Sequence, residues 1–135
     1  MTTEQKRMTD FISTLDASAE EFAHWQQVAQ PFVAYEEAYP VALFHDLVED
    51  GYCTLEQLKD MWNLSNVQVA AIDAITRRNE EPYFTYIDRV KENKLATKVK
   101  LVDLDHNIHR CANDLSERWS LIIRYAKAYG ILIGE

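Results

Sequence analysis

The chain has little of what breaks a helix or builds a sheet. Its 135 residues hold only three glycines and three prolines, and strand-like runs are scarce, which sets aside a sheet-rich fold and favours an all-α one. Two cysteines, Cys53 and Cys111, form no CxxC and no paired spacing; they read as reduced thiols of a cytosolic protein rather than a disulfide framework. Positive charge is short: 14 Lys and Arg face 22 Asp and Glu, for a formal net charge of −8. A nucleic-acid partner or an anionic membrane would want a basic face, so both are set aside. A small anionic substrate is not, because a bound metal and a few local Lys or Arg can recruit phosphate. No apolar run is long enough to span a bilayer. The opening residues MTTEQKRMTDF lack the apolar core of a signal peptide, so a cytoplasmic protein is expected.

The chain does have helical punctuation. Met8, Phe11, Ile12 and Leu15 recur at helical spacing and predict a first helix over 4–15. Ser18-Ala-Glu-Glu21 reads as a capping box opening a second helix to Gln30, where Pro31 interrupts. Pro40 suits the first turn of a helix over 40–50 that Gly51 ends. Thr54-Leu-Glu-Gln57 and Ser65-Asn-Val-Gln68 are further capping boxes, opening helices to Met61 and Arg77. Pro82 starts a helix reaching Glu92. Lys94 to Arg110 continues with Leu95, Val99, Val102 and Ile108 turned inward. Asp114 opens a last helix, to Gly130, whose stripe of Leu115, Trp119, Ile122, Ile123, Ala126 and Tyr129 reads as core or as the seat of a partner helix. Ile131-Leu132-Ile133 packs on the body or on a second copy of the chain, which leaves a homo-oligomer open. No linker or repeat divides the sequence, so about eight helices are expected in a single domain over 1–135.

The chemistry concentrates in Phe44-His45-Asp46-Leu47-Val48-Glu49-Asp50. Ionisable side chains inside an apolar helix cost several kcal/mol unless something compensates them, and a bound cation would. His45 and Glu49 are four apart on one helix face, and Asp46 and Asp50 on the adjoining one. Imidazole nitrogen with carboxylate oxygen suits a divalent ion such as Mn²⁺, Fe²⁺ or Zn²⁺. Glu49 and Asp50, one turn further on, are placed to orient or deprotonate a water. One helix cannot complete such a site. His24 lies 21 residues upstream of His45, far enough to pack back antiparallel. Asp103, His106 and Asn107 share a face by i, i+3, i+4 spacing. Two His and two Asp would leave coordination positions open for water and a phosphate oxygen. Arg77, Lys98 and Lys100 either clamp phosphate or lie on a solvated face. His106 either supports the pocket or pairs with His109 as a second two-histidine site. Trp62, Tyr83, Tyr86 and Trp119 read as packing, with one near the cleft available to stack a base.

These motifs, in this order, resemble the HD phosphohydrolase superfamily, and within it the RelA/SpoT-type alarmone hydrolases and their small stand-alone relatives. Ala42 through Asp50 is similar to that family's ALLHDVVED, and Thr54 through Leu58 to its TLEDL. Asp73-Ala74-Ile75-Thr76-Arg77-Arg78 resembles DALTRR, and Tyr83 through Val90 resembles YEEYIERV. Ala96 through Asp103, with His106-Asn107, resembles AxKVKLADxxHN, and His24 through Ala29 resembles HPLRVA. The resemblance covers residues 24–110. It implies a helical HD bundle of seven to eight helices, metal ligands at His24, His45, Asp46 and Asp103, and Glu49 and Asp50 acting on the attacking water. It also implies Asn107 on the substrate's sugar or phosphate, Mn²⁺ as the usual metal (with Fe²⁺, Zn²⁺ or Mg²⁺ as alternatives), and removal of the 3′-pyrophosphate from guanosine tetra- or pentaphosphate.

The chain departs from that pattern at its start. Residues 1–23 hold no counterpart of the family's AHxGQ segment or of the following basic loop with its purine-contacting Arg. Only Lys6 and Arg7 are basic there, and His24 lacks the Pro and Arg of HPLRVA. The base-binding half of the pocket is missing or rebuilt. Three readings therefore stand: an alarmone pyrophosphohydrolase, a different nucleotide phosphatase or phosphodiesterase, and a degenerate HD domain that binds nucleotide or protein without catalysis.

Overall fold

The computed structural model describes residues 1–112 and 119–134. The expected all-α class holds: these residues form eight α-helices and one 3₁₀ turn, with no strand among the described residues. The helices fall into two compact units, residues 1–76 and 77–135.

The first unit holds α1 (Thr3–Ser13), α2 (Ala19–Ala29), a 3₁₀ turn (Gln30–Phe32), α3 (Ala38–Phe44), α4 (Leu55–Trp62) and α5 (Asn66–Ile75). Polar caps set most of these boundaries. Thr2 with Gln5, Thr54 with Gln57 and Ser65 with Gln68 form reciprocal capping boxes, each satisfying two otherwise orphaned backbone donors. Ser18 makes only half of the box expected of it. Its hydroxyl accepts from the Glu21 N–H, while the Glu21 carboxylate accepts instead from the Tyr52 hydroxyl at 2.9 Å. Pro31 stops α2 by forcing the 3₁₀ turn, as expected. Helix α3 is the hub of the unit. All seven of its residues are buried, and α1, α2 and α5 pack on it. Burying Leu43 and Phe44 stabilises this unit by about 1.5–3 kcal/mol for each side chain.

The helix expected over 40–50 is shorter and earlier. It runs from Ala38 to Phe44, and residues 45–51 continue as turns. Leu47 N–H donates to Phe44 O, Gly51 N–H to Val48 O and Tyr52 N–H to Leu47 O, so the α-helical ladder breaks down. Asp50 N–H donating to Asp46 O at 2.9 Å preserves one α-type turn. Gly51 takes φ +81°, a left-handed conformation that suits glycine and reverses the chain.

The second unit holds α6 (Tyr83–Lys91), α7 (Lys94–Ala112) and α8 (Trp119–Leu132), which pack pairwise on one another. Pro82 caps α6, and the Asn93 side chain accepts from the Ala96 N–H at the start of α7. The inward face of α7 differs from the expected Leu95, Val99, Val102 and Ile108. Val99 is buried together with Ala96, Asp103, Leu104 and Cys111, and the other three are half-buried. Helix α8 also turns another way. Ala128 and Leu132 are its buried residues, while Trp119 and Ile123 are 61% and 65% exposed. The expected helix start at Asp114, and Leu115 of its stripe, lie outside the described residues. Both cysteines are free thiols. No described helix is long and apolar enough to cross a membrane.

Candidate metal centre

His24 stands on α2, on the face that also buries Trp25, Val28 and Ala29. His45 caps the C-terminus of α3. It too is buried, and the two imidazoles meet edge to face with centroids 5.3 Å apart. The His45 ring is oriented by its own helix: Nδ1 lies 2.6 Å from the Ala42 carbonyl oxygen. A carbonyl only accepts, so Nδ1 carries a proton and Nε2 is the nitrogen turned to Asp46. The Asp46 Oδ2 is 3.1 Å from His45 Nε2 and 3.7 Å from His24 Nε2.

Electron-pair donors at these distances repel one another unless positive charge lies among them. A proton on an imidazole supplies it, and so does a cation. Two imidazole nitrogens with carboxylate oxygen are the donor set that first-row divalent ions prefer, and the outer nitrogen of His45 is already anchored as metal-bound histidines usually are. The residues present thus fit a divalent ion. Within the first unit His24, His45 and Asp46 each offer a ligand atom, a group that could hold a metal ion; Asp103, the fourth residue that the family resemblance names, stands on α7 of the second unit.

Within the second unit, buried Asp103 has both oxygens engaged by its own helix. Lys100 Nζ donates to Oδ2 at 2.8 Å and Asn107 Nδ2 to Oδ1 at 3.3 Å. Asn107 Oδ1 in turn accepts from Arg110. Burial pulls the Lys100 ammonium down, but the Asp103 charge, with Tyr86, Tyr83 and the Asp103 hydrogen bond, outweighs it and holds the group well above the usual lysine range. Lys100 is therefore a charged partner of Asp103 rather than a solvated lysine. It and Asn107 fix the carboxylate's direction, as outer partners of a ligating carboxylate do.

Glu49 and Asp50 are exposed, on the turns that follow His45. The Asp50 carboxyl is pushed up to about 6, first by partial burial, then by the charges of Asp46, Glu49 and Glu21, with His45 opposing. The sequence marks Glu21 only as a capping residue; its place in this acidic group has no local signal, because it depends on α2 packing against α3. The Ala42 carbonyl that orients His45 was equally invisible, since it needs the helix to end at Phe44. Arg77 is half-buried, with Nε donating to the Glu81 carbonyl at 3.0 Å and its guanidinium 5.4 Å from the centre of the Tyr83 ring. Lys98 is exposed and His106 half-buried.

Comparison with models of protein families finds no match for the chain, and comparison with curated proteins finds none either.

Proposed function

We propose that the chain is a metal-dependent phosphohydrolase of the HD type acting on a phosphorylated nucleotide, with the 3′-pyrophosphate of guanosine tetraphosphate as the first substrate to try. The observation that supports this reading is the meeting of His24, His45 and Asp46 in the first unit, three of the four ligands that the family resemblance implies; Asp103 of the second unit is assigned as the fourth. A divalent ion held by these four would supply a Lewis acid that lowers the pKa of water and offsets charge on phosphoryl oxygens.

The chain's own residues do the rest. The Ala42 carbonyl keeps the His45 ring turned toward Asp46. Lys100 and Asn107 aim Asp103. Glu49 is assigned to orient the attacking water and take its proton. Asp50, poised near pH 6, is a suitable acid or base for the same transfer at neutral pH. Exposed Lys98 and half-buried Arg77, Asn107 and His106 are assigned to the substrate's phosphate and sugar.

A second reading, a nucleotide- or protein-binding HD domain without catalysis, is favoured by one observation. In α1, where a basic base-binding segment would be expected, Arg7 pairs with Glu4 at 2.9 Å and lies over the Trp62 ring. The deciding experiment is hydrolysis of guanosine tetraphosphate by purified protein with Mn²⁺, with His45→Ala as the control. Pyrophosphate release that the variant lacks supports the hydrolase. Absence of release from protein shown to hold the metal moves the search to other nucleotides, and failure to retain metal favours the binding domain.

A further inference from the structure

Tyr83 begins α6 and Arg124 lies on α8, both in the second unit. The Arg124 guanidinium carbon sits 4.1 Å from the centre of the Tyr83 ring and 5.5 Å from that of Tyr125. Both residues are half-buried. Arg124 Nε and the Tyr83 hydroxyl oxygen are each shielded from solvent, and neither has a hydrogen-bond partner. Among the described residues Arg124 also has no carboxylate partner. Its neighbours are better provided for: Lys100 is paired with Asp103, Arg89 with Glu81, and Arg77 Nε rests on the Glu81 carbonyl.

A half-buried guanidinium is normally matched by an anion, and stacking on a phenol ring offsets only part of its desolvation. A shielded phenol hydroxyl is likewise normally hydrogen-bonded. Two such donors side by side, with the Arg77 guanidinium 5.4 Å from the same ring, lack one thing in common, an acceptor with negative charge. Burial holds the Tyr83 hydroxyl above its ordinary value; the charges of Lys100 and Arg124 work against this, and Tyr125 and Asp103 add to it.

We propose that Arg124 and Tyr83 form a receptor for the oxygens of a phosphate group. Such a group offers only acceptors, carries the missing charge, and can take the guanidinium's N–H donors and the phenol's O–H on different oxygens. The site stands on the second unit alone and does not require the metal reading. Free pyrophosphate and the diphosphate of a nucleotide present the same chemistry.

The test is calorimetric titration of the full chain in excess chelator, with inorganic pyrophosphate in one arm and guanosine diphosphate in the other. Wild type should bind in at least one arm. Arg124→Gln should weaken that binding about tenfold or more, and Tyr83→Phe by a smaller factor. Lys59→Gln, an exposed lysine of α4, should leave it unchanged. Equal binding in the two arms assigns the site to the phosphate group alone; tighter nucleotide binding, still lost with Arg124→Gln, assigns it to a nucleotide's phosphate. Should Arg124→Gln lose its helical circular dichroism, Arg124→Lys keeps the charge without the fork and should bind at an intermediate level. Wild type that binds neither probe, or an Arg124 variant that binds as well as wild type, overturns the proposal. Because metal is absent throughout, failure here is distinct from failure of the hydrolase reading.

Discussion

The His45 ring is fixed to the carbonyl of Ala42 by a 2.6 Å hydrogen bond, and that bond decides which nitrogen faces Asp46. A helix that ends at Phe44 leaves the Ala42 carbonyl without a partner in the next turn, and the imidazole of the cap residue takes it. Local structure and ligand chemistry are thus set by the same atom. If the ring serves a metal, His45→Ala should lower Mn²⁺ affinity by at least about 100-fold, since loss of an outer-shell partner alone costs 10–100-fold. Added Mn²⁺ at about 100 times its Kd should stabilise wild type by about 2.7 kcal/mol, and should do far less for the variant. Thermal melts with Mn²⁺ and with chelator read both. Equal Mn²⁺ stabilisation of the two proteins would remove His45 from the ligand set.

Glu49 follows His45 and Asp46 on the 45–51 turns and is exposed. A residue that moves a proton but holds no metal should separate two readouts. Glu49→Gln is expected to keep wild-type Mn²⁺ stabilisation while turnover falls about 100- to 10,000-fold. Full activity in the variant would end this assignment. Loss of metal binding would make Glu49 a ligand instead.

How much of this could be read beforehand follows from where each signal resides. Caps are local, so Thr54, Ser65 and Pro31 announced their boundaries and the structure keeps them. His45 and Asp46 stand out as candidate ligands because polar residues there interrupt apolar surroundings, where only compensation makes them tolerable; the full set with His24 and Asp103 rests on the family resemblance. What failed was geometry that depends on packing. The spacing of His45, Glu49 and Asp50 fits a continuous helix, but the chain turns after Phe44 and reverses at Gly51. On α8, the 3-4 spacing of Trp119, Ile123 and Ala126 marks an apolar face, yet periodicity cannot say which face meets the core. Small Ala128 sits there instead, where a small side chain permits close helix approach. Glu21 and Lys100 gained their roles only through partners on other turns or other helices.

Asp50 supplies a pH dependence whose sign is fixed by its neighbours. Its carboxyl titrates at about 6 in the folded protein against an ordinary 3.8, so the folded state holds that proton more tightly than the unfolded chain does. Between those values the unfolded state releases the proton first, and stability of the metal-free protein falls as pH rises. Asp50→Asn removes the repulsion from Asp46, Glu49 and Glu21. In chelator the variant should be more stable than wild type above pH 6, with the difference closing as pH falls toward 4. A divalent ion beside Asp46 should shrink the difference at neutral pH by lowering the carboxyl again. Urea melts of both proteins at several pH values measure it, and a difference that does not change with pH would contradict the repulsion argument.

Glu81 carries the opposite sign. Its carboxylate accepts from Arg89 Nε at 3.1 Å and from a terminal Arg89 nitrogen at 2.9 Å, a two-point clasp between the turn before α6 and α6 itself. The same side chain accepts from the Arg78 N–H at 3.2 Å and so closes the turn in which Glu80 adopts φ +62°. The hydrogen bond to Arg89 is the largest influence and burial works against it; with help from Arg78 the carboxyl is held at about 2 against an ordinary 4.5. A depressed carboxyl stabilises the fold above its unfolded value and loses that contribution as pH falls through its folded one. Glu81→Gln should therefore melt a few degrees below wild type at neutral pH, and the two curves should converge between pH 4.5 and 2. Arg89→Lys, which keeps the charge but not the fork, should recover only part of the loss seen in Arg89→Ala. Parallel melting curves that stay apart down to pH 2 would show that Glu81 acts by packing, not by charge.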